Sequence, residues 1–183
     1  MLTTFGFWLR KQLMLVTARR AAISVAWALL ASLVYSSSPI AAETTPDTIA
    51  AIQAAAGDST LAGYVVYLDF WASWCLPCRE SFPWMNTLLE KYRERGLRIV
   101  TVNLDKKPAA GRKFMKDMNA AFPVVFDSTG ALAKHYRLEV MPTSFLYGRD
   151  GKLRRREEGF HMDDHAISVE DMIESMLKEK GTK

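Results

Sequence analysis

Two cysteines, Cys75 and Cys78, occur among the 183 residues, separated by Leu76 and Pro77. A Cys-x-x-Cys that follows a strand and opens a helix is a redox arrangement. The unpaired amides and partial positive charge of a helix N-terminus favour thiolate over thiol there, and only the thiolate attacks a disulfide. Cys75, at the exposed edge of the turn, is the expected nucleophile. Cys78 lies one helical turn inward and is expected to resolve the mixed disulfide. Other chemistries fit the pair poorly. A tetrahedral zinc site needs two more ligands, and His135, His161 and His165 offer no pair at finger spacing, so no metal is expected. Covalent haem attachment needs histidine after the second cysteine, where Arg79 stands. As a structural staple, a bridge enclosing two residues removes almost no unfolded-chain entropy.

The elements that must position this pair can be read from hydrophobic patterning. Tyr64 to Phe70 is an apolar, β-rich run with Asp69 near its end, continuous enough to be buried on both faces. After the cysteines, Met85, Leu88, Leu89 and Tyr92 draw one apolar helical stripe that ends at Gly96. Arg98 to Leu104 reads as a second strand, which makes a parallel strand–helix–strand unit. Pro108 opens a helix carrying Phe114, Met115 and Met118 inward, followed by a short strand over Pro123 to Phe126 and a short helix over Ala131 to Tyr136. Thr143 to Tyr147 and Lys152 to Glu158 are strands joined through the turn signal Arg149-Asp150-Gly151. A last helix puts Val169, Met172, Ile173, Met176 and Leu177 on one face. The expectation is an α/β fold with a central sheet and helices on both sides.

The formal charge of +4 is concentrated at the start of the chain. Arg10, Lys11, Arg19 and Arg20 precede any acidic residue, and without those four the chain has 20 basic and 20 acidic residues. A nucleic-acid partner needs a basic face, and this balance gives no hint of one. Positive residues, then the apolar run Ala21 to Tyr35, then Ile40-Ala41-Ala42, follow the order of a secretory signal peptide cleaved after Ala42. An uncleaved membrane anchor with the same orientation is the alternative. Residues 1–42 are thus read as a leader, 43–60 as a short segment with a helix from Thr48 to Ala56, and 61–183 as the domain, facing outside the cytoplasm.

The stretch Asp69-Phe70-Trp71-Ala72-Ser73-Trp74-Cys75-Leu76-Pro77-Cys78-Arg79 resembles the active-site segment of thioredoxins. Pro83 falls where that family kinks its first long helix, and Val140-Met141-Pro142-Thr143 looks like its cis-proline loop. Glu80 and the inserted helix–strand piece at 108–127 are similar to the TlpA-type (TlpA/ResA-like) periplasmic branch. The resemblance spans about residues 60–180 and implies a thioredoxin fold with that insertion ahead of the cis-proline half.

Roles follow from the resemblance residue by residue. Met141-Pro142 would carry a cis bond and, with Trp74 and Pro77, line a groove for an extended substrate. Asp69 matches the family's buried acid; a carboxyl in an apolar strand should have a raised pKa and could take the proton of Cys78. Glu80 is a possible further acid, although an acid there also suits the helix dipole alone. Trp71 reads as core, and the three histidines as surface. Arg154-Arg155-Arg156 with Glu157-Glu158 read as a solvated edge. Thr143-Ser144 stand where some cytochrome-maturation members carry an acid. The implied activity is an exported, monomeric reductase of protein disulfides, recharged by a membrane thiol donor and using no cofactor. The alternative from another class is copper delivery, since two thiols bind soft Cu(I).

Overall fold

A computed structural model describes residues 49–57 and 59–179. The leader over 1–42 and the start of the helix expected from Thr48 lie outside the described residues. Helix α1 (Ala50–Ala56) closes on Gly57, whose φ of 63° is the left-handed geometry that glycine adopts without cost. A 3₁₀ turn (Ser59–Leu61) leads to β1 (Val65–Trp71), all seven residues of which are buried. Then follow α2 (Leu76–Tyr92), β2 (Leu97–Asn103), α3 (Pro108–Asp117), β3 (Val124–Phe126), α4 (Ala131–His135), β4 (Thr143–Tyr147), β5 (Leu153–Glu158) and α5 (Asp164–Lys178).

The five strands form one sheet in the order β3-β2-β1-β4-β5. β1 pairs in parallel with β2, and β2 with β3; β1 pairs antiparallel with β4, and β4 with β5. This is the mixed thioredoxin-like sheet, with the parallel unit and the hairpin meeting on β1. A strand inside such a sheet must be apolar on both faces, which accounts for the unbroken run of the sequence.

Alternation along β1 divides the core. Val65, Tyr67 and Trp71 face one cluster with Phe82, Met85 and Leu88 of α2 and Val169 and Ile173 of α5. Val66, Leu68 and Phe70 face the other, with Ile49, Ile52 and Leu61 from the N-terminal segment and Tyr136 and Phe145. Beneath the cysteine-bearing helix, Trp71, Phe82 and Phe114 have ring centroids 4.9 Å apart pairwise, and Phe122 stands 5.3 Å from Phe82. Such pairs contribute about 0.5–1.5 kcal/mol each beyond their burial. Trp71 is core, as its sequence context implies. Because Phe114 belongs to this cluster, the inserted helix α3 is part of the floor of the cysteine helix.

Arg149, in the β4–β5 turn, ties three chain segments together. Its guanidinium donates to the carbonyls of Gly63 (2.9 Å) and Arg95 (3.0 Å), and to that of Leu177 near the end of α5 (3.5 Å). Gly96, at φ 104°, is needed there, because a Cβ would stand 2.8 Å from an Arg149 nitrogen. The expected solvated edge at β5 is a set of ion pairs: Arg154 with Asp150 (2.9 Å), Arg155 with Glu157, and Arg156 with Glu158 (2.7 Å). His135 departs from expectation. It is half-buried against Tyr136, with Nε2 enclosed and lacking a hydrogen-bond partner among the described residues, because Leu132 and Tyr136 on either side of it pack into the core on the sheet's second face.

Candidate active site

The sequence sends β1 directly into a tight turn, Ala72 to Cys75, closed by the Cys75 amide donating to the Ala72 carbonyl at 3.1 Å. Cys75 is the N-cap of α2, in extended backbone geometry, and Pro77 occupies the first turn, where a missing N–H costs nothing. The Cys78 amide donates to Cys75 Sγ at 3.2 Å. That amide would otherwise be an orphan of the helix start. The two cysteines are joined as a disulfide, with Cα atoms 5.3 Å apart. Cys78 is fully buried, and Cys75 keeps 5% exposure. The expected order of accessibility holds, but Cys75 is more enclosed than an exposed edge implies, since its sulfur turns in toward the helix end to bond Cys78.

Around this nearly closed pair the surface is apolar. Trp74 and Leu76 are each 69% exposed and Val140 45%. Pro77 is exposed as well, while Met141 is half-buried and Pro142 buried. The Met141–Pro142 peptide bond is cis, as the family resemblance implies. Strand pairing explains why this loop lies beside the cysteines. β4 starts immediately after it, and Thr143 is the partner of Phe70 at the end of β1, one residue from Trp71. Met141 packs on the same apolar cluster that contains Cys75 and Cys78. The loop is held by the Thr143 hydroxyl donating to the Val140 carbonyl (2.8 Å) and by the Gly159 amide donating to the Pro142 carbonyl (2.8 Å).

Asp69 is 1% exposed. It shares its β1 face with Tyr67 and Trp71, the face on which the cluster containing Cys78 packs. Burial holds its carboxyl well above the usual carboxylate range, and Oδ2 has no hydrogen-bond partner among the described residues. Tyr67, one pleat away, is pushed far upward by burial and then by Asp69, with a hydrogen bond to Ser144 acting the other way. Glu80 is exposed on α2 and does not join this buried group.

Sequence reasoning passed over a polar cluster at the turn between β1 and α2. Asp105 is 5% exposed and accepts from the Ser73 amide (3.0 Å), the Ser73 hydroxyl (2.9 Å) and Asn103 Nδ2 (2.7 Å). The only signal in the sequence was an Asn and an Asp at the end of an apolar strand.

Comparison with known proteins agrees with this geometry. The AhpC/TSA family pattern matches residues 47–156. A thiol-disulfide oxidoreductase ResA from Bacillus thuringiensis subsp. konkukian is 39% identical over 97 residues, covering 53% of this chain and 56% of the relative. The ResA of Bacillus subtilis is 37% identical over 95 residues, covering 52% and 53%. The chain therefore spans about half the length of the curated relatives it matches. A Chlorobium tepidum structure named as a DsbE-type thiol:disulfide interchange protein superimposes with a TM-score of 0.63 and 45% identity, over 65% of this chain and 84% of that one. StoA of Bacillus subtilis gives 0.52 and 30%, over 60% and 82%. With more than half of its length matched by the family pattern and a five-stranded sheet of the same kind, the chain belongs to the AhpC/TSA family of thioredoxin-fold proteins.

Proposed function

We propose that this chain is an exported thiol-disulfide oxidoreductase that reduces disulfides in other proteins. The observation that carries the reading is the Cys75–Cys78 bridge at the start of α2, with the Cys78 amide donating to Cys75 Sγ. In the reduced protein that amide and the helix dipole stabilise a Cys75 thiolate. The thiolate attacks one sulfur of a substrate disulfide, forming a mixed disulfide and expelling the other substrate sulfur as a thiolate, which takes a proton from solvent. Cys78, as its thiolate, then attacks Cys75 Sγ, and the second substrate sulfur leaves as a thiolate that is protonated in turn. Two electrons pass to the substrate and the Cys75–Cys78 disulfide remains.

Cys78 must lose a proton before that second step. A buried thiol resists ionisation, and Asp69 is a carboxyl on the facing strand whose own basicity is raised by burial. Where it is ionised, its raised affinity for a proton suits it to take the one Cys78 gives up. The exposed Trp74, Pro77 and Val140 beside Met141 and Pro142 provide an apolar bed for an extended substrate segment. Names of the relatives match thiol-disulfide exchange. The leader's charge order supports export, and a membrane thiol donor would restore the dithiol.

The test is reduction of insulin disulfides by the full chain with a small dithiol as electron source. Turnover above the dithiol alone is expected, and its absence would refute the activity. Equilibration with glutathione tests the direction. A potential of roughly −200 to −270 mV is expected, near thioredoxin's, and one near about −120 mV would make the protein an oxidant instead.

A further inference from the structure

Asp105 has no place in the exchange chemistry, yet it is a buried carboxylate with three neutral donors converging on it. The cluster does not close on itself. Asn103, fully buried at the end of β2, donates through Nδ2 to Asp105 and accepts the Asp105 amide through Oδ1 (3.3 Å). Asn103 is the register partner of Trp71, so the end of β2 stands beside the point where β1 enters the cysteine turn. On its other side Asn103 is covered by Gly111 of α3, where a Cβ would stand 2.5 Å from Oδ1. One continuous path thus runs from the inserted helix through Gly111, Asn103 and Asp105 to Ser73, two residues before the nucleophile.

We propose that Asp105 is a positioning residue that clamps the Ala72–Cys75 turn, so that Cys75 Sγ stays where the Cys78 amide and the start of α2 can stabilise its thiolate. The proposal rests on Cys75 being the attacking thiol. Both the amide and the hydroxyl of Ser73 are held, which fixes the turn in position and in rotation. Without the clamp, the backbone bonds left at the turn among the described residues are Cys75 to Ala72 and, into the helix, Arg79 to Cys75, and neither holds Ser73. The sulfur then loses its fixed distance to an amide donor, and a hydrogen bond to a charged acceptor is lost or shared with water. Gly111 matters to the same end, since a larger residue would press on Asn103 and through it on Asp105.

The test is the pH dependence of alkylation of Cys75 in the reduced full-length chain by iodoacetamide, with the modified site read by mass. With Asp105→Ala the profile should move to higher pH, and the rate below the midpoint should fall about tenfold. Asp105→Asn, which keeps an oxygen for the Ser73 amide, should recover most of that loss. Ser73→Ala and Gly111→Ala should move the profile the same way by less, and Ser73→Ala carries the test if Asp105→Ala does not fold. A profile unchanged in both Asp105→Ala and Ser73→Ala would overturn the proposal. So would a move to lower pH in Asp105→Ala and Asp105→Asn alike, because that sign means the carboxylate acts on the thiol by charge alone. Insulin turnover by the unmodified chain is measured separately. Its failure would sink the oxidoreductase reading while the alkylation profiles still report on the clamp.

Discussion

Replacing Asp69 by asparagine should change how the stability of the oxidised protein depends on pH. The carboxyl is enclosed in β1, one of its oxygens has no hydrogen-bond partner among the described residues, and burial raises its pKa well above the ordinary value. In the unfolded chain the same group ionises near pH ~4. Between that point and the raised folded midpoint, the folded protein holds a proton that the unfolded chain has released. Stability contributed by this group is therefore full below the unfolded pKa and is lost as pH rises toward the folded one. The loss is up to about 1.4 kcal/mol for each pH unit in that window. Asparagine has nothing to titrate, so the stability of Asp69→Asn relative to the parent should grow by that slope and then level off. Urea unfolding of both oxidised proteins across a pH series measures the difference. Other carboxyls cancel in the subtraction: Glu170, held down by Lys91, and Asp150, held down by Arg154, are shared by both proteins. Tyr67 stays protonated throughout this range. A difference that is constant with pH would refute the account of Asp69 as a buried carboxyl with a raised pKa.

Three further outcomes are expected. Cys78→Ser should accumulate mixed disulfides with exported proteins, visible on a non-reducing gel and lost on reduction, whereas Cys75→Ser should form few; equal trapping by both would reverse the assignment of nucleophile and resolver. Arg149→Ala removes the donor to three backbone carbonyls and should lower stability by about 1–2 kcal/mol in urea unfolding, with thiol reactivity retained. After export, intact mass should place the N-terminus at or near Glu43, and retention of Met1 in the membrane fraction would favour the anchor.

The elements around the cysteines were legible because their signals are local. A seven-residue apolar run, a Cys-x-x-Cys at a helix start and an Arg-Asp-Gly turn each announce themselves within one stretch of chain, and they appear within a residue or so of the expected ends. The cis Met141–Pro142 bond and the placement of Asp69 came through the resemblance to a known family and not from the residues alone. What could not be read depends on register. Nothing in Ser73, Asn103 or Asp105 says that they meet until Trp71 is set opposite Asn103 by the parallel pairing of β1 and β2. The grip of Arg149 is hidden for the same reason, since its three acceptors are far apart in sequence. His135 reads as a surface histidine because it shares no spacing with the other two, and only the packing of its short helix encloses its Nε2.

The two outer strands bear on how the protein behaves in a crowd of unfolded chains. On the proposed activity the protein would repeatedly meet extended polypeptide, and an open sheet edge invites such segments to add as a further strand. β3 offers only three residues for such pairing. β5 is longer, but Arg154 to Glu158 are five charged residues in succession, and each arginine already has an acidic neighbour. An incoming strand would have to displace those pairs and line its own side chains against charge on both faces. On the proposed function, contact with extended chains would be steered away from the edges and toward the apolar rim at Trp74, Leu76 and Val140, where disulfide exchange would release a bound segment.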